Sequence, residues 1–316
     1  MTALAAAAPL LPRALRAALP GAAAQSPGFK VRPFDLSAVR LRAGAALDAL
    51  DTNRRCLMGL DPDRLLHMFR LTAGLPSSAA PLGGWEAPDN ELRGHFTGHY
   101  LSACALMSAQ TGDAAVKERG VAVAGALAKC QAAIGSGYLS AFPAELFDRL
   151  RAGKPAWAPF YTLHKIMAGL FDTATLSADR GSLPTLLGLA AWVERWTEPL
   201  DESQMARVLE REYGGMNEVL YNLAALTADD RWGRLAQRFD RERIFAPLAA
   251  GRDELQGLHV NTTIPQIIGA ARGYEVAGSP QLQAVATSFW HTVAERRCYC
   301  TGGTSNGESW NTPPGI

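Results

Sequence analysis

Three glutamates in this sequence follow pairs of glycines, a setting that suits a reactive side chain. They are Glu86 in GGWE, Glu218 in GGMNE and Glu308 in GGTSNGE. Glycine lets the backbone approach other groups closely or adopt positive φ, so such segments commonly deliver a side chain into a crowded site. The sequence therefore presents three candidate carboxylates for acid and base chemistry or for ligand binding.

The third of these carboxylates, Glu308, lies two residues before Trp310. A carboxyl group beside an aromatic wall loses hydration, which favours its protonated form and suits a general acid. Trp85 and Trp310 offer apolar ring faces for a sugar, although either ring can equally be core. A phosphate-binding loop is disfavoured because GGTSNGE lacks the lysine of that motif. We therefore assign Glu308 as the catalytic candidate, with Trp85, Glu86 and Trp310 as candidate substrate-binding residues.

Four histidines lie in or beside the same distinctive segments. His95 and His99 are four residues apart in GHFTGHY, so a helix would place both imidazoles on one face. His164 follows an aromatic stretch, and His259 precedes the sequence VNTT, which can cap a helix. Zinc binding of the HExxH type is disfavoured because its glutamate is missing. The histidines are either separately packed polar residues or, as we predict, a polar cluster that binds substrate.

The five cysteines form neither a disulfide framework nor a complete zinc site, because their number is odd and no CxxC pair occurs. Cys298 and Cys300 would share one face of an extended segment. That arrangement can hold a metal but more often reflects small buried side chains. The sequence therefore predicts no metal site in this chain.

The elements that must position these residues are helical nearly throughout, from Phe34 onward. Apolar residues recur at separations of three and four, and the alternation typical of strands is nearly absent. The pattern predicts helices near 95–110, 114–134, 162–178, 182–196, 215–227, 230–243, 264–276 and 280–297.

Short turn signals, such as TGD at 111–113 and GSP at 278–280, join these helices into pairs. Longer stretches at 74–94, 135–161 and 246–263 separate the pairs and would lie together at one end, where a site belongs. This layout predicts an all-α fold, an (α/α) barrel made of helical hairpins. A solenoid of hairpins gives the same local pattern, but the hairpins share no repeat consensus, which favours the barrel.

Charge and composition narrow the partners and the location of the chain. The 31 Lys and Arg residues balance 30 Asp and Glu residues without forming a basic stripe, so nucleic acid is excluded as a partner. No apolar run reaches the length of a membrane span. Residues 1–26, rich in Ala and Leu, predict an export signal or a disordered tail; export is the preferred interpretation and a cytoplasmic location the alternative.

Seven segments, taken in order, carry a family resemblance. They are GGWE, LRGHFTGHYLSA, GYLSAFP, YTLHKIMAGL, GGMNEVL, HVNTTIPQIIGAARGYE and TGGTSNGE. Over about residues 34–316 this succession resembles the catalytic domain of glycoside hydrolase family 127, the β-L-arabinofuranosidase-like proteins of bacteria. The resemblance implies an (α/α)6 barrel followed by β-sandwich domains. It also implies removal of non-reducing terminal β-L-arabinofuranose, with retention, from an arabinose-containing oligosaccharide or glycan.

The resemblance also implies roles for individual residues. Glu308 looks like the general acid/base of the family. His164 and His259 look like the histidines that hydrogen-bond the sugar, and His99 and His95 are expected to do likewise.

The nucleophile of the family is a cysteine thiolate held on zinc together with a glutamate and two further cysteines, and these ligands follow the GE segment. The chain ends before them, so the resemblance implies that residues 27–316 form an incomplete (α/α)6 barrel. Such a chain is expected to bind no zinc, to show little or no hydrolysis alone and to self-associate through its uncovered inner helices.

Two other functions fit parts of the pattern. A sugar epimerase or isomerase on a similar barrel would use histidines as acid and base, but Glu308 beside Trp310 is better explained by glycoside cleavage. A non-catalytic helical scaffold that binds glycan or protein would be unaffected by substitution of Glu308. Product analysis distinguishes the first alternative, and that substitution distinguishes the second.

Overall fold

The computed structural model describes residue 31 and residues 33–211 and 213–311. Within these ranges the chain forms helices and no β-strand, which confirms the all-α prediction. The α-helices are α1 (Ala45–Gly59), α2 (Pro62–Thr72), α3 (His95–Thr111), α4 (Ala114–Ile134), α5 (Glu145–Arg151), α6 (Pro159–Leu176), α7 (Ser182–Thr197), α8 (Glu202–Val208), α9 (Met216–Thr227), α10 (Asp230–Gln237), α11 (Glu242–Ala249), α12 (Val260–Ala277) and α13 (Pro280–Thr292). The export signal predicted at residues 1–26 lies outside the described residues.

Four helices form an inner row, and each is followed by an outer helix with which it makes a hairpin. The inner helices α3, α6, α9 and α12 pack side by side in that order, and their outer partners are α4, α7, α10 and α13. Neighbouring inner helices are parallel: Asn217 and Tyr221 of α9 lie against Gly269 and Gly273 of α12 in the same order along both helices. The starts of the inner helices therefore lie toward one end of the molecule, as in an (α/α) barrel.

The predicted turn signals separate the helices of these hairpins. Gly112 follows α3 with φ of 77°, and Asp113 caps α4 by accepting a hydrogen bond of 3.1 Å from the backbone N–H of Val116. Gly278 follows α12 with φ of 66°, and Ser279 caps α13. These local interactions explain why the boundaries of α3 and α4 fall within one residue of the prediction.

The single helix predicted at 230–243 is instead two helices, α10 and α11, with a break between them. The break allows the Asp240 carboxyl to accept hydrogen bonds from Asn217 Nδ2 at 2.9 Å and from the Tyr221 hydroxyl at 3.1 Å. Both partners belong to α9. A contact with the inner helix α9 therefore overrides a helical pattern that continues through the break.

The structure differs from the predicted helices in three other places. The helical pattern from Phe34 becomes regular α-helix only at Ala45, because Gly44 has φ of 142°, which a helix cannot contain. The stretch 135–161, predicted as irregular, includes α5. The helix predicted to reach residue 297 changes to a π-helix after Thr292.

The partly buried Asp240 is expected to make the stability of the fold depend on pH. Burial raises its pKa to about 7, so the folded protein retains a proton that the unfolded chain releases near pH 4. The resulting stabilisation is fully present below that pH and is lost as the pH rises through 7. Asp240→Asn is neutral at every pH. We expect the unfolding free energy of this variant, measured relative to that of the wild type, to be roughly 1–4 kcal/mol higher at pH 8 than at pH 5.

Urea unfolding at the two pH values measures this difference. The exposed Asp230→Asn is the matched control and is expected to give the same stability difference at both pH values. An Asp240→Asn difference that does not change with pH would contradict the assignment of a retained proton to Asp240.

Candidate active site

Glu308, the predicted catalytic residue, lies beside His259 at the start of α12. The backbone N–H of Val260 donates to the Glu308 carbonyl oxygen at 2.8 Å, and the N–H of Trp310 donates to the Leu258 carbonyl at 3.0 Å. Two chain segments almost 50 residues apart are thereby joined. They bring His259 Nε2 and Glu308 Oε2 to 3.4 Å, and the Glu308 side chain remains 73% exposed.

The imidazole of His259 is oriented from its other side. Its Nδ1 lies 3.1 Å from the hydroxyl oxygen of Thr262, one turn into the same helix. Glu308 has a backbone φ of 63°, which is uncommon for a residue other than glycine and turns the chain sharply at this point. The arrangement pairs an accessible carboxyl with an oriented imidazole, and such a pair can transfer a proton to or from a bound ligand.

Trp310, which the sequence suggested as a substrate-binding residue, is buried in the structure. It is only 1% exposed, and its ring makes an edge contact with Phe289 at a centroid distance of 5.7 Å. The indole therefore presents no ring face to a sugar. Its packing instead fixes the end of the segment that carries Glu308.

Glu86 is engaged by the start of α3. Its carboxylate accepts hydrogen bonds from the backbone N–H groups of Gly94 at 2.6 Å and Phe96 at 3.0 Å, and it lies 2.7 Å from His95 Nδ1. The positive end of a helix dipole favours a carboxylate in this position. His95 Nδ1 also lies 2.9 Å from the Leu92 carbonyl oxygen, so this nitrogen is a donor. Glu86 therefore orients His95 and caps α3, and its two carboxylate oxygens are already occupied.

An aromatic group surrounds His95. Its ring centroid lies 6.2 Å from that of Trp85, 6.0 Å from that of His99 and 6.1 Å from that of Tyr161. Trp85 is 63% exposed, so it retains an accessible ring face. Burial, with smaller contributions from the charges of Lys165 and His95, lowers the pKa of His99 to about 4. His99 is therefore a neutral hydrogen-bonding group at neutral pH.

His164 is buried at the start of α6, and the glycine pair Gly214–Gly215 covers its ring. A Cβ atom at Gly214 would lie 2.6 Å from His164 Nδ1, so only glycine fits there. The backbone N–H of Gly215 donates to Nδ1 at 3.1 Å. Burial holds the pKa of His164 well below its usual range, so the imidazole is neutral and its proton is on Nε2.

A row of polar residues on the inner helices was absent from the predicted site. It consists of Lys165 and Asp172 on α6, Glu218 and Asn222 on α9, and Arg272 on α12. Arg272 Nε donates to Asn222 Oδ1 at 2.6 Å, and burial raises the pKa values of Glu218 and Asp172. The glycine pair before Glu218 marked it as a candidate, but nothing in the sequence gave it a role. The signal for the others was a polar or charged residue within an otherwise apolar helix.

Six of the predicted site residues thus form two groups. Glu308 contacts His259, whereas Trp85, Glu86, His95 and His99 lie together at the start of α3. Within the described residues, no hydrogen bond or ion pair joins Glu308 to His164. The pocket predicted to contain Glu308, His259 and His164 together stays a prediction.

No three His, Cys, Asp or Glu side chains within the described residues are grouped closely enough to hold a metal ion. Cys298 and Cys300 are exposed, and the Cys298 thiol is 3.5 Å from the Tyr299 carbonyl oxygen. The donor set that the family resemblance implies is therefore not found in this part of the chain.

Comparisons with known proteins agree with the fold and the motifs. Residues 38–315 match the family model described as β-L-arabinofuranosidase, GH127 catalytic domain. A search of curated proteins finds no match. No helix within the described residues is long and apolar enough to cross a membrane.

Two solved structures share the fold. A GH127 β-L-arabinofuranosidase from Geobacillus stearothermophilus T6 has 16% identity and a TM-score of 0.56, and the match covers 82% of this chain and 44% of that one. The GH127 β-arabinofuranosidase BT3674 has 17% identity and a TM-score of 0.58, with 84% and 42% coverage. The chain thus spans less than half the length of these two proteins.

Proposed function

The chain belongs to the catalytic-domain family of glycoside hydrolase family 127, and from this premise we propose that it binds a terminal β-L-arabinofuranosyl residue of a glycan and contributes the general acid/base to its hydrolysis. The observation that carries the proposal is the pairing of Glu308 with His259 at 3.4 Å, on a segment where the carboxyl stays exposed. A glycosidase needs such a carboxyl, because the departing glycosidic oxygen must receive a proton.

In a retaining reaction a nucleophile, which the family resemblance places after the GE segment, would take up the glycosyl group as the glycosidic bond breaks, and water would then release it. Glu308 would act in both steps. As the acid it would protonate the departing oxygen, and as the carboxylate it would then accept a proton from the incoming water. The His259 imidazole, held on its Nδ1 side by Thr262, would orient the carboxyl. The exposure of Glu308 supports this role because both the departing group and the water must reach the carboxyl from solvent.

Neutral imidazoles would hold the sugar. Burial keeps His99 and His164 uncharged. A neutral imidazole can donate one hydrogen bond and accept another, and His164, whose Nδ1 already accepts from Gly215, can still donate through Nε2. Sugar hydroxyl groups need this combination because each is both a donor and an acceptor. The exposed ring of Trp85 would supply the apolar face on which a furanose packs.

We expect the full-length gene product to hydrolyse 4-nitrophenyl β-L-arabinofuranoside and to release L-arabinose with its anomeric configuration retained, as monitored by proton NMR during the first minutes. The α-L-arabinofuranoside of the same phenol is the matched control substrate and should react far more slowly. Conversion of free arabinose to another sugar, detected by chiral chromatography, would contradict the proposal in favour of an epimerase. Hydrolysis with inversion would contradict the retaining mechanism.

A further inference from the structure

His164 presents one hydrogen-bond donor that the protein leaves available. Its Nδ1 is occupied by the N–H of Gly215 at 3.1 Å, and the imidazole is neutral, so the remaining proton is on Nε2. No described residue accepts a hydrogen bond from this Nε2. The ring itself is nearly fully buried between α6 and Gly214–Gly215, so the direction of the N–H is fixed.

Glu218 presents an acceptor beside that donor. It lies in the first turn of α9, where its Oε1 is 3.4 Å from Asn222 Nδ2. Its Oε2 has no hydrogen-bond partner within the described residues. Burial, opposed by the nearby charges of Lys165 and Arg272, raises the pKa of this carboxyl.

Gly215 packs closely against both groups. A Cβ atom at this position would lie 2.9 Å from His164 Nε2 and 3.2 Å from Glu218 Oε2, so the two atoms are at most 6.1 Å apart, a separation that one hydroxyl group can bridge. The backbone does not require glycine there, because φ is −96°, a value that other residues adopt readily. Glycine is therefore needed here because a side chain would collide with the donor and the acceptor.

We propose that His164 Nε2–H and the Glu218 carboxyl together bind one hydroxyl group of the sugar, which makes Glu218 a specificity-determining residue. The imidazole donates to the hydroxyl oxygen, and the carboxyl accepts the hydroxyl hydrogen. This inference rests on the proposed function, since it assumes that the ligand is a sugar. A ligand without that hydroxyl leaves both partly desolvated groups unpaired, which disfavours its binding strongly.

The test measures binding of methyl β-L-arabinofuranoside and of its 2-, 3- and 5-deoxy derivatives by titration calorimetry. In the wild type, one deoxy derivative should bind at least about 10-fold more weakly than the parent glycoside. Glu218→Gln should weaken binding of the parent by a similar factor and should bind that same deoxy derivative with little further loss. Gly215→Ala should abolish binding because its methyl group would press against His164 Nε2 and Glu218 Oε2 and displace them.

The controls separate this inference from the proposed function. Glu118→Gln, an exposed glutamate of α4, and Gly125→Ala, whose added Cβ meets no atom within 4 Å, should bind all ligands as the wild type does. Equal binding by the wild type and Glu218→Gln would overturn this inference alone. So would a loss in Glu218→Gln that is uniform across all the deoxy derivatives, since that indicates a structural role. Failure of the wild type to bind the parent glycoside would overturn the proposed function as well.

Discussion

Replacing Glu308 by glutamine is expected to lower kcat/KM for an arabinose-containing oligosaccharide about 10²- to 10⁴-fold in the full-length gene product. Glutamine keeps the size of the side chain and its approach to His259 but carries no transferable proton. Sugar leaving groups are strongly basic, so cleavage without an acid is slow. The measurement is release of arabinose from the oligosaccharide at several concentrations.

The decrease in kcat/KM caused by Glu308→Gln should depend on the leaving group of the substrate. A dinitrophenyl glycoside releases a weakly basic phenolate that needs little protonation, so its kcat/KM should fall far less in Glu308→Gln. Glu295→Gln is the matched control, because Glu295 is 60% exposed and pairs with His291, which is not one of the proposed site residues. An equal loss for both substrates would contradict a general-acid role, and an unchanged kcat/KM in Glu308→Gln would show that another group supplies the proton.

Replacing Gly98 by alanine is expected to destabilise the fold by about 3 kcal/mol or more and to lower Tm by roughly 5–10 °C. Its Cβ would lie 2.1 Å from the Lys165 carbonyl oxygen, so α3 and α6 could accommodate it only by moving apart. The same holds in reverse, because a Cβ atom added at Gly169 would lie 2.5 Å from the Gly98 carbonyl oxygen. Because His99 and His164 are adjacent to this crossing, sugar binding should also be lost.

Gly125→Ala provides the matched control for this substitution. Gly125 is an exposed residue of α4, and its added Cβ would meet no atom within 4 Å. Alanine there should stabilise the helix by about 0.5–1 kcal/mol, because alanine loses less backbone entropy than glycine. Thermal unfolding followed by circular dichroism measures both variants. A Gly98→Ala protein as stable as the wild type would contradict the close crossing of α3 and α6.

The site residues suggested by the sequence have different roles in the folded protein. Glu308 and His259 were both identified from their motifs, and the structure places them in contact. Glu86 and Trp310 came from equally distinctive motifs, but the first caps α3 and the second is buried. A motif indicates that a residue is constrained by its surroundings. Whether the constraint comes from a ligand or from packing depends on contacts outside the motif.

The sequence by itself determined the features that depend on neighbouring residues. Helical periodicity, with Gly112 and Asp113 as turn and cap, was sufficient to predict α3 and α4, because these interactions span only a few residues. The ordered motifs were sufficient to identify the family. The tertiary structure decided the contacts between distant segments. Asp240 lies in a break between two helices and bonds to α9, Gly98 permits two helices to cross closely, and Gly215 packs against both His164 and Glu218. Each of these depends on atoms brought together from helices far apart in the chain, and periodicity along one helix contains no information about them.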